Sequence, residues 1–102
     1  MSHPPEDEFN EYFKKLQKQD SKTWDLFDAM LRARIGQYLT GWGFSYDDAM
    51  DIYQEVILRF VKRLDNLNFE NRPQMMSYIY TICDNRKRTH YRKLKTNQIV
   101  DY

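Results

Sequence analysis

Between Ser45 and Leu64 the chain reads SYDDAMDIYQEVILRFVKRL. Ala49, Ile52, Tyr53, Val56, Phe60 and Leu64 recur there at three- and four-residue spacings. That is the period of an α-helix with one buried face, and a strand cannot carry it. Ser45 followed by Asp48 fits the S-x-x-D capping box, so the helix is expected to begin there. The opposite side carries Asp48, Asp51, Glu55, Arg59 and Lys62, with Gln54 and Leu58 beside them. Leu58 therefore points away from the core stripe. It is either an ordinary exposed leucine or part of a contact surface. A helix with so continuous an apolar face must bury it against other elements.

Three further segments have the same period. From roughly Glu6 to Gln19, Phe9, Tyr12, Phe13 and Leu16 form one stripe. Glu6, Asp7 and Glu8 sit in its first turn, where the helix dipole favours acid. This stripe must dock on the rest of the chain or on a partner. From about Lys22 to Leu39 the expected buried face is Trp24, Phe27, Leu31, Ile35 and Tyr38. Asp20 or Ser21 suits its N-cap, and Gly41 and Gly43 end it. DNLNFENRP, residues 65–73, reads as a loop, with Asn71 placed to cap the next helix and Pro73 suited to its first turn. That last helix is expected over Gln74 to Leu94. Met75, Ile79, Ile82 and Cys83 mark its buried face, extended by the aliphatic parts of Arg86 and His90. Only three Gly and three Pro in 102 residues argue against an all-β fold with many tight turns. The expectation is one all-α domain, a compact bundle of three to four helices.

The net charge of +1 conceals an uneven distribution. Residues 1–85 hold ten basic and fourteen acidic side chains, whereas 86–95 hold six basic and none acidic. The basic run NRKRTHYRKLK, residues 85–95, is either a nucleic-acid contact or the solvated end of a helix, which Lys and Arg also favour. Ser77, Thr81, Asn85, Arg88 and Arg92 share one face there. Arg88 and Arg92 are i, i+4 neighbours, a track suited to a phosphate backbone and one or two bases.

Several classes are not expected. Two distant His and one Cys give no zinc spacing, and no phosphate-cradling glycine motif occurs. Cys83 reads as a small buried residue rather than a nucleophile. Asp47, Asp48 and Asp51 gather at a helix N-terminus, where two of them serve as N-terminal charges. No enzyme, cofactor or metal is expected, nor any membrane insertion, since no run of about eighteen apolar residues is present. The start MSHPPEDEF lacks the pattern of a signal peptide, and a single cysteine suits the cytosol.

Two stretches together resemble a known family. SYDDAMDIYQEVILRFVKRLDNL is similar to the D-A-E-D-x-x-Q-E-x-F-L-R pattern of bacterial sigma factors. SYIYTICDNRKRTHYRKLK is similar to the W-L-x-x-I-A-x-N-x-x-x-D-x-x-R-R helix that follows it. The chain resembles region 2 of an extracytoplasmic-function sigma factor of the sigma-seventy family, over about residues 22–95. It departs from the pattern at Tyr78, where the family has Trp, at Cys83 for Ala, and at Thr89 for Asp. Its connecting loop is rich in asparagine and somewhat long.

The resemblance implies a helical domain that binds the clamp helices of the largest RNA polymerase subunit. It also implies recognition and opening of the promoter minus-ten element through its non-template single strand. Carried over by position, the polymerase surface would be Asp48, Asp51, Gln54, Glu55, Leu58 and Arg59. The DNA surface would be Asn68, Phe69, Asn71 and Arg72 in the loop, with Tyr80, Asn85, Arg88 and Arg92 on the last helix. Asn68 or Asn71 would read a flipped base, and Phe69 would either line its pocket or plug the core. Tyr78 reads as core. An anti-sigma factor is an expected partner in the bacterial cytoplasm. Residues 1–21 are expected as a helical lead-in, 22–95 as the domain and 96–102 as the start of a linker. The chain is thus expected to be an excised domain that does not read the minus-thirty-five element. The competing readings are a helical module that binds polymerase or an anti-sigma factor without directing initiation, and a generic basic nucleic-acid-binding domain.

Overall fold

The computed structural model describes residues 5–100, with side chains for 8–92. Four α-helices follow one another: α1 (Pro5–Gln17), α2 (Ser21–Gly41), α3 (Tyr46–Arg63) and α4 (Arg72–Val100). A single 3-10 turn, Leu64–Asn66, closes α3. No strand occurs among the described residues, and the architecture is the expected all-α bundle. Glu6 and Asp7, the Lys93 and Lys95 end of the basic run, and Asp101 and Tyr102 of the expected linker lie outside the residues described at side-chain level.

The helix starts follow from local side-chain chemistry. Asp20, not Ser21, caps α2: its Oδ2 accepts from the Thr23 backbone N–H at 3.0 Å and from the Thr23 hydroxyl at 2.6 Å. Those two bonds hold the Asp20 carboxyl below the usual carboxylate range. Ser45 Oγ accepts from the Asp48 N–H at 3.1 Å. Asn71 Oδ1 accepts from the Gln74 N–H at 2.9 Å, while Gln74 Oε1 accepts from the Glu70 N–H at 2.6 Å. This reciprocal pair satisfies two backbone donors at the start of α4. α4 does not stop near Leu94 but continues to Val100. Residues 85–100 hold no Gly or Pro, and their many Lys and Arg are good helix formers.

α1 ends in a left-handed residue. Gln19 has φ 61°, its N–H donates to the Leu16 carbonyl and the Asp20 N–H donates to the Lys15 carbonyl. This is a Schellman ending, a place where glycine is favoured because a Cβ is strained at positive φ. Gln19→Gly is expected to stabilise the fold by roughly 0.5–1 kcal/mol, the relief of strain less the entropy that glycine adds to the unfolded chain. Urea denaturation of the two proteins measures it.

The core runs the length of the bundle. Phe27 lies at its centre, with ring centroids 5.8 Å from Phe60 and 5.3 Å from Trp24. The α2 stripe buries Phe27, Leu31, Ile35 and Leu39. Trp24 and Tyr38 lie at its margin, half-buried, because each has a polar tip that needs a partner. The Trp24 indole N–H donates to the Leu16 carbonyl at 2.8 Å, and the Tyr38 hydroxyl donates to Asp84 Oδ1 at 2.6 Å. α3 and α4 bury the residues their patterns marked, including Tyr53, Phe60, Met75, Ile79 and Cys83. The α1 stripe docks on the rest of the chain: Phe9, Phe13 and Leu16 are buried in the same cluster. α2 and α3 approach closely at Gly36, where a Cβ would stand 3.3 Å from the Met50 methyl. Between these helices the Tyr53 hydroxyl donates to the Asp28 carboxylate, and the Arg32 guanidinium lies 5.5 Å over the Tyr53 ring. Burial and that hydrogen bond push the Tyr53 phenol up. Burial also pushes the Cys83 thiol up to about 11, so it is protonated at neutral pH.

Candidate polymerase and nucleic-acid interfaces

The outward face of α3 follows from its position in the bundle. Its inner side is filled by the core, so Asp51, Gln54, Leu58 and Arg59 are left exposed. Asp48 and Glu55 are half-buried toward one margin. Glu55 reaches across to α4, where its Oε2 lies 3.4 Å from His90 Nε2. Glu55 therefore leans toward α4 while staying partly exposed, and Gln54 and Leu58 project. Leu58 is 62% exposed, and Val61, one turn on, is 42% exposed. Val61 also lines a groove with Trp24, Asp25 and Leu64, so the apolar surface continues from α3 toward the start of α2. The sequence reading missed Val61, although its spacing of three from Leu58 was a signal for a second apolar residue off the core stripe.

The basic run is divided by the fold. The Lys87 ammonium lies 3.8 Å over the Trp42 ring, 5.2 Å over the Tyr38 ring and 3.4 Å from Asp84 Oδ1. It is held against α2 rather than offered to solvent. Tyr91 also turns that way, donating from its hydroxyl to the Trp42 carbonyl at 2.8 Å. Arg86 is half-buried. Arg88 and Arg92 are exposed on the outer face of α4 with Ser77, Thr81 and Asn85. Thr81 and Thr89 return their hydroxyls to carbonyls of their own helix, at Ser77 and Asn85. The polar groups on this face are thus the Ser77 hydroxyl, the Asn85 carboxamide and the exposed Arg88 and Arg92 side chains. Tyr80 packs edge-on against Tyr38 at 5.1 Å and lies to the α2 side of this face.

At the N-terminal end of α4 the loop forms a hollow of ≈ 440 Å³ lined by Asn10, Asn68, Phe69, Glu70 and Asn71. Phe69 is 8% exposed, with its ring 5.4 Å from Phe13 and 5.5 Å from Tyr78. It plugs the core, and it also reaches the floor of the hollow. Tyr78 completes the contact from the other side, 6.4 Å from Phe60, as a residue of the core margin. Asn71 is committed to capping α4 through its Oδ1. The Arg72 guanidinium lies 4.8 Å over the Tyr12 ring of α1. Asn10 was not legible as a site residue, because it meets the loop only through the docking of α1 some sixty positions earlier in the chain.

The described residues thus form an all-helical bundle with a mixed outward face on α3 and a basic outer face on α4. The profile of the family described as Sigma-70 region 2 matches residues 28–96, and the chain belongs to that family. The family is a non-enzymatic one, whose role is promoter recognition and RNA polymerase binding. No curated protein and no solved structure shows a significant match to the chain. No helix among the described residues is long and apolar enough to cross a membrane.

Proposed function

We propose that this chain is region 2 of an extracytoplasmic-function sigma factor, with two surfaces that work together. The α3 face of Asp48, Asp51, Gln54, Leu58 and Arg59 binds the clamp helices of the largest polymerase subunit, with Glu55 at its margin beside His90. Asn68 and the amide nitrogen of Asn71 in the loop, with Arg72, Asn85, Arg88 and Arg92 on α4, hold the non-template strand of the minus-ten element. The observation that carries the reading is the segregation of chemistry. The α3 face mixes Asp51, Gln54 and Arg59 with an exposed leucine, whereas the α4 face carries Asn85, Arg88 and Arg92 and no carboxylate. Phe60 against Tyr78 packs those two helices together, so a polymerase bound to one surface fixes the place of DNA on the other.

The mechanism needs no covalent step. Arg88 and Arg92 neutralise phosphates, and Asn85 offers a donor and an acceptor to a base edge. A base turned out of the stack enters the hollow at the loop, and its capture offsets an unstacking cost of a few kcal/mol. An anti-sigma protein would act by covering these surfaces.

Two binding measurements test this. The chain should retain the clamp-helix fragment of polymerase in a pull-down, and it should prefer particular single-stranded oligonucleotides over duplex. Polymerase binding with no DNA preference would leave an interaction module. Binding to any duplex or RNA alike would leave a generic basic domain. Arg88→Ala is expected to weaken all single strands about equally and to reduce the slope of log K against log salt by about 0.7, one phosphate contact. Fluorescence anisotropy across a salt series reads that slope.

A further inference from the structure

We propose that Asn10 on α1 is a base-reading residue of the hollow, so that recognition extends to a helix that begins before the family match. This rests on the base-capture reading above. Asn10 and Asn68 line the hollow from two different elements, together with Phe69, Glu70 and Asn71. The two walls are tied together. Gln17 on α1 donates from its Nε2 to the carbonyl of Leu64 at 3.0 Å and to that of Leu67 at 3.2 Å, gripping both ends of the 3-10 turn. Phe13 stands edge-on to Phe69, and Tyr12 lies beneath the Arg72 guanidinium. α1 therefore sets the position of the loop, and Asn10 is held at a fixed place beside it.

The chemistry of the lining selects what enters. Asn71 gives its acceptor to the start of α4, and the Glu70 backbone N–H is taken by Gln74, so the loop backbone is pinned. The carboxamides of Asn10 and Asn68 remain as paired donors and acceptors, the groups that match the polar edge of a base. Phe69 supplies an apolar floor. The lining includes acidic Glu70 and no basic residue, which disfavours a phosphate there and suits an uncharged ring with a polar edge. Gln17 is a positioning residue in this scheme and Asn10 a contacting one.

The test uses the 102-residue chain and single-stranded DNA. A preferred 12-mer is selected from a randomised single-stranded library, and abasic sites are walked along it. The native chain should lose about tenfold in affinity at one position, the loss of one captured base. Asn10→Ala should shrink that penalty at least about threefold and relax the preference among the four bases there, leaving the abasic strand bound as before. Asn10 is exposed, so circular dichroism should show an unchanged fold. Gln17→Ala should weaken the same penalty while also lowering thermal stability. If Asn10→Ala keeps the full penalty while the native chain shows one, Asn10 is not a reader and base capture stands without it. If the native chain shows no penalty at any position, base capture fails, and the role of Asn10 fails with it.

Discussion

Leu58→Arg is expected to remove binding to the polymerase clamp helices while leaving the fold intact. Leu58 is 62% exposed and lies off the core stripe of α3, so the folded domain has little to lose from the change. Surface substitutions of that kind usually stay within about 0.5 kcal/mol. At an apolar contact the effect is much larger. An anchor is removed and a guanidinium must be desolvated without a partner, a loss of at least ~2 kcal/mol, or roughly thirtyfold in affinity. Gln54→Ala should cost less, since an exposed carboxamide contributes only hydrogen bonds that water replaces in part. The comparison needs a pull-down and a titration against the clamp-helix fragment, with thermal unfolding in parallel. A folded Leu58→Arg protein that binds as tightly as the native one would move the interface off this face. The apolar groove formed by Val61 with Trp24 and Leu64 would then be the next surface to test.

What the sequence disclosed, and what it did not, follows the range of the interactions involved. The stripes of α2, α3 and α4, the Ser45 and Asn71 caps and the outward direction of Leu58 all depend on residues a turn or two apart. Periodicity and capping rules act over that range. The division of the basic run was not legible. Lys87 is withdrawn by Trp42 and Tyr38, which lie 45 and 49 positions away in the sequence. Charge counting treats Lys87 and Arg88 alike, but only tertiary packing tells them apart. The grip of Gln17 on the Leu64 and Leu67 carbonyls was hidden for the same reason, since Gln17 sits beside the apolar stripe of α1 rather than in it. The family resemblance supplied what local rules cannot, a reason to read the α3 and α4 surfaces as a pair. It could not show that Asn71 would be engaged in capping, a commitment that shifts attention to Asn68 and to α1.

Phe69→Ala is expected to be the most destabilising single change at the candidate site, at about 3–5 kcal/mol. Phe69 is the only aromatic residue in the loop between α3 and α4, yet it is 8% exposed. Its ring meets Phe13 edge-on at 5.4 Å and Tyr78 at 5.5 Å, joining α1 to α4 through the loop. Truncation would leave a void between those rings and release both the floor of the hollow and the seat of α1. Against a total stability of about 5–15 kcal/mol, a loss of that size should lower the denaturant midpoint sharply. Phe69→Leu keeps most of the buried volume and should cost less, about 1–2 kcal/mol. The pair of variants separates the two roles open to this residue. If the ring acts as a plug, Phe69→Leu should retain both the fold and the base preference of the native chain. If the ring acts chiefly by stacking on a captured base, Phe69→Ala should cost under about 1 kcal/mol in stability, and Phe69→Leu should lose the abasic penalty while remaining folded. The contacts to Phe13 and Tyr78 favour the plug. On the proposed reading, base selectivity at the hollow would then rest on carboxamides whose positions an aromatic core residue fixes.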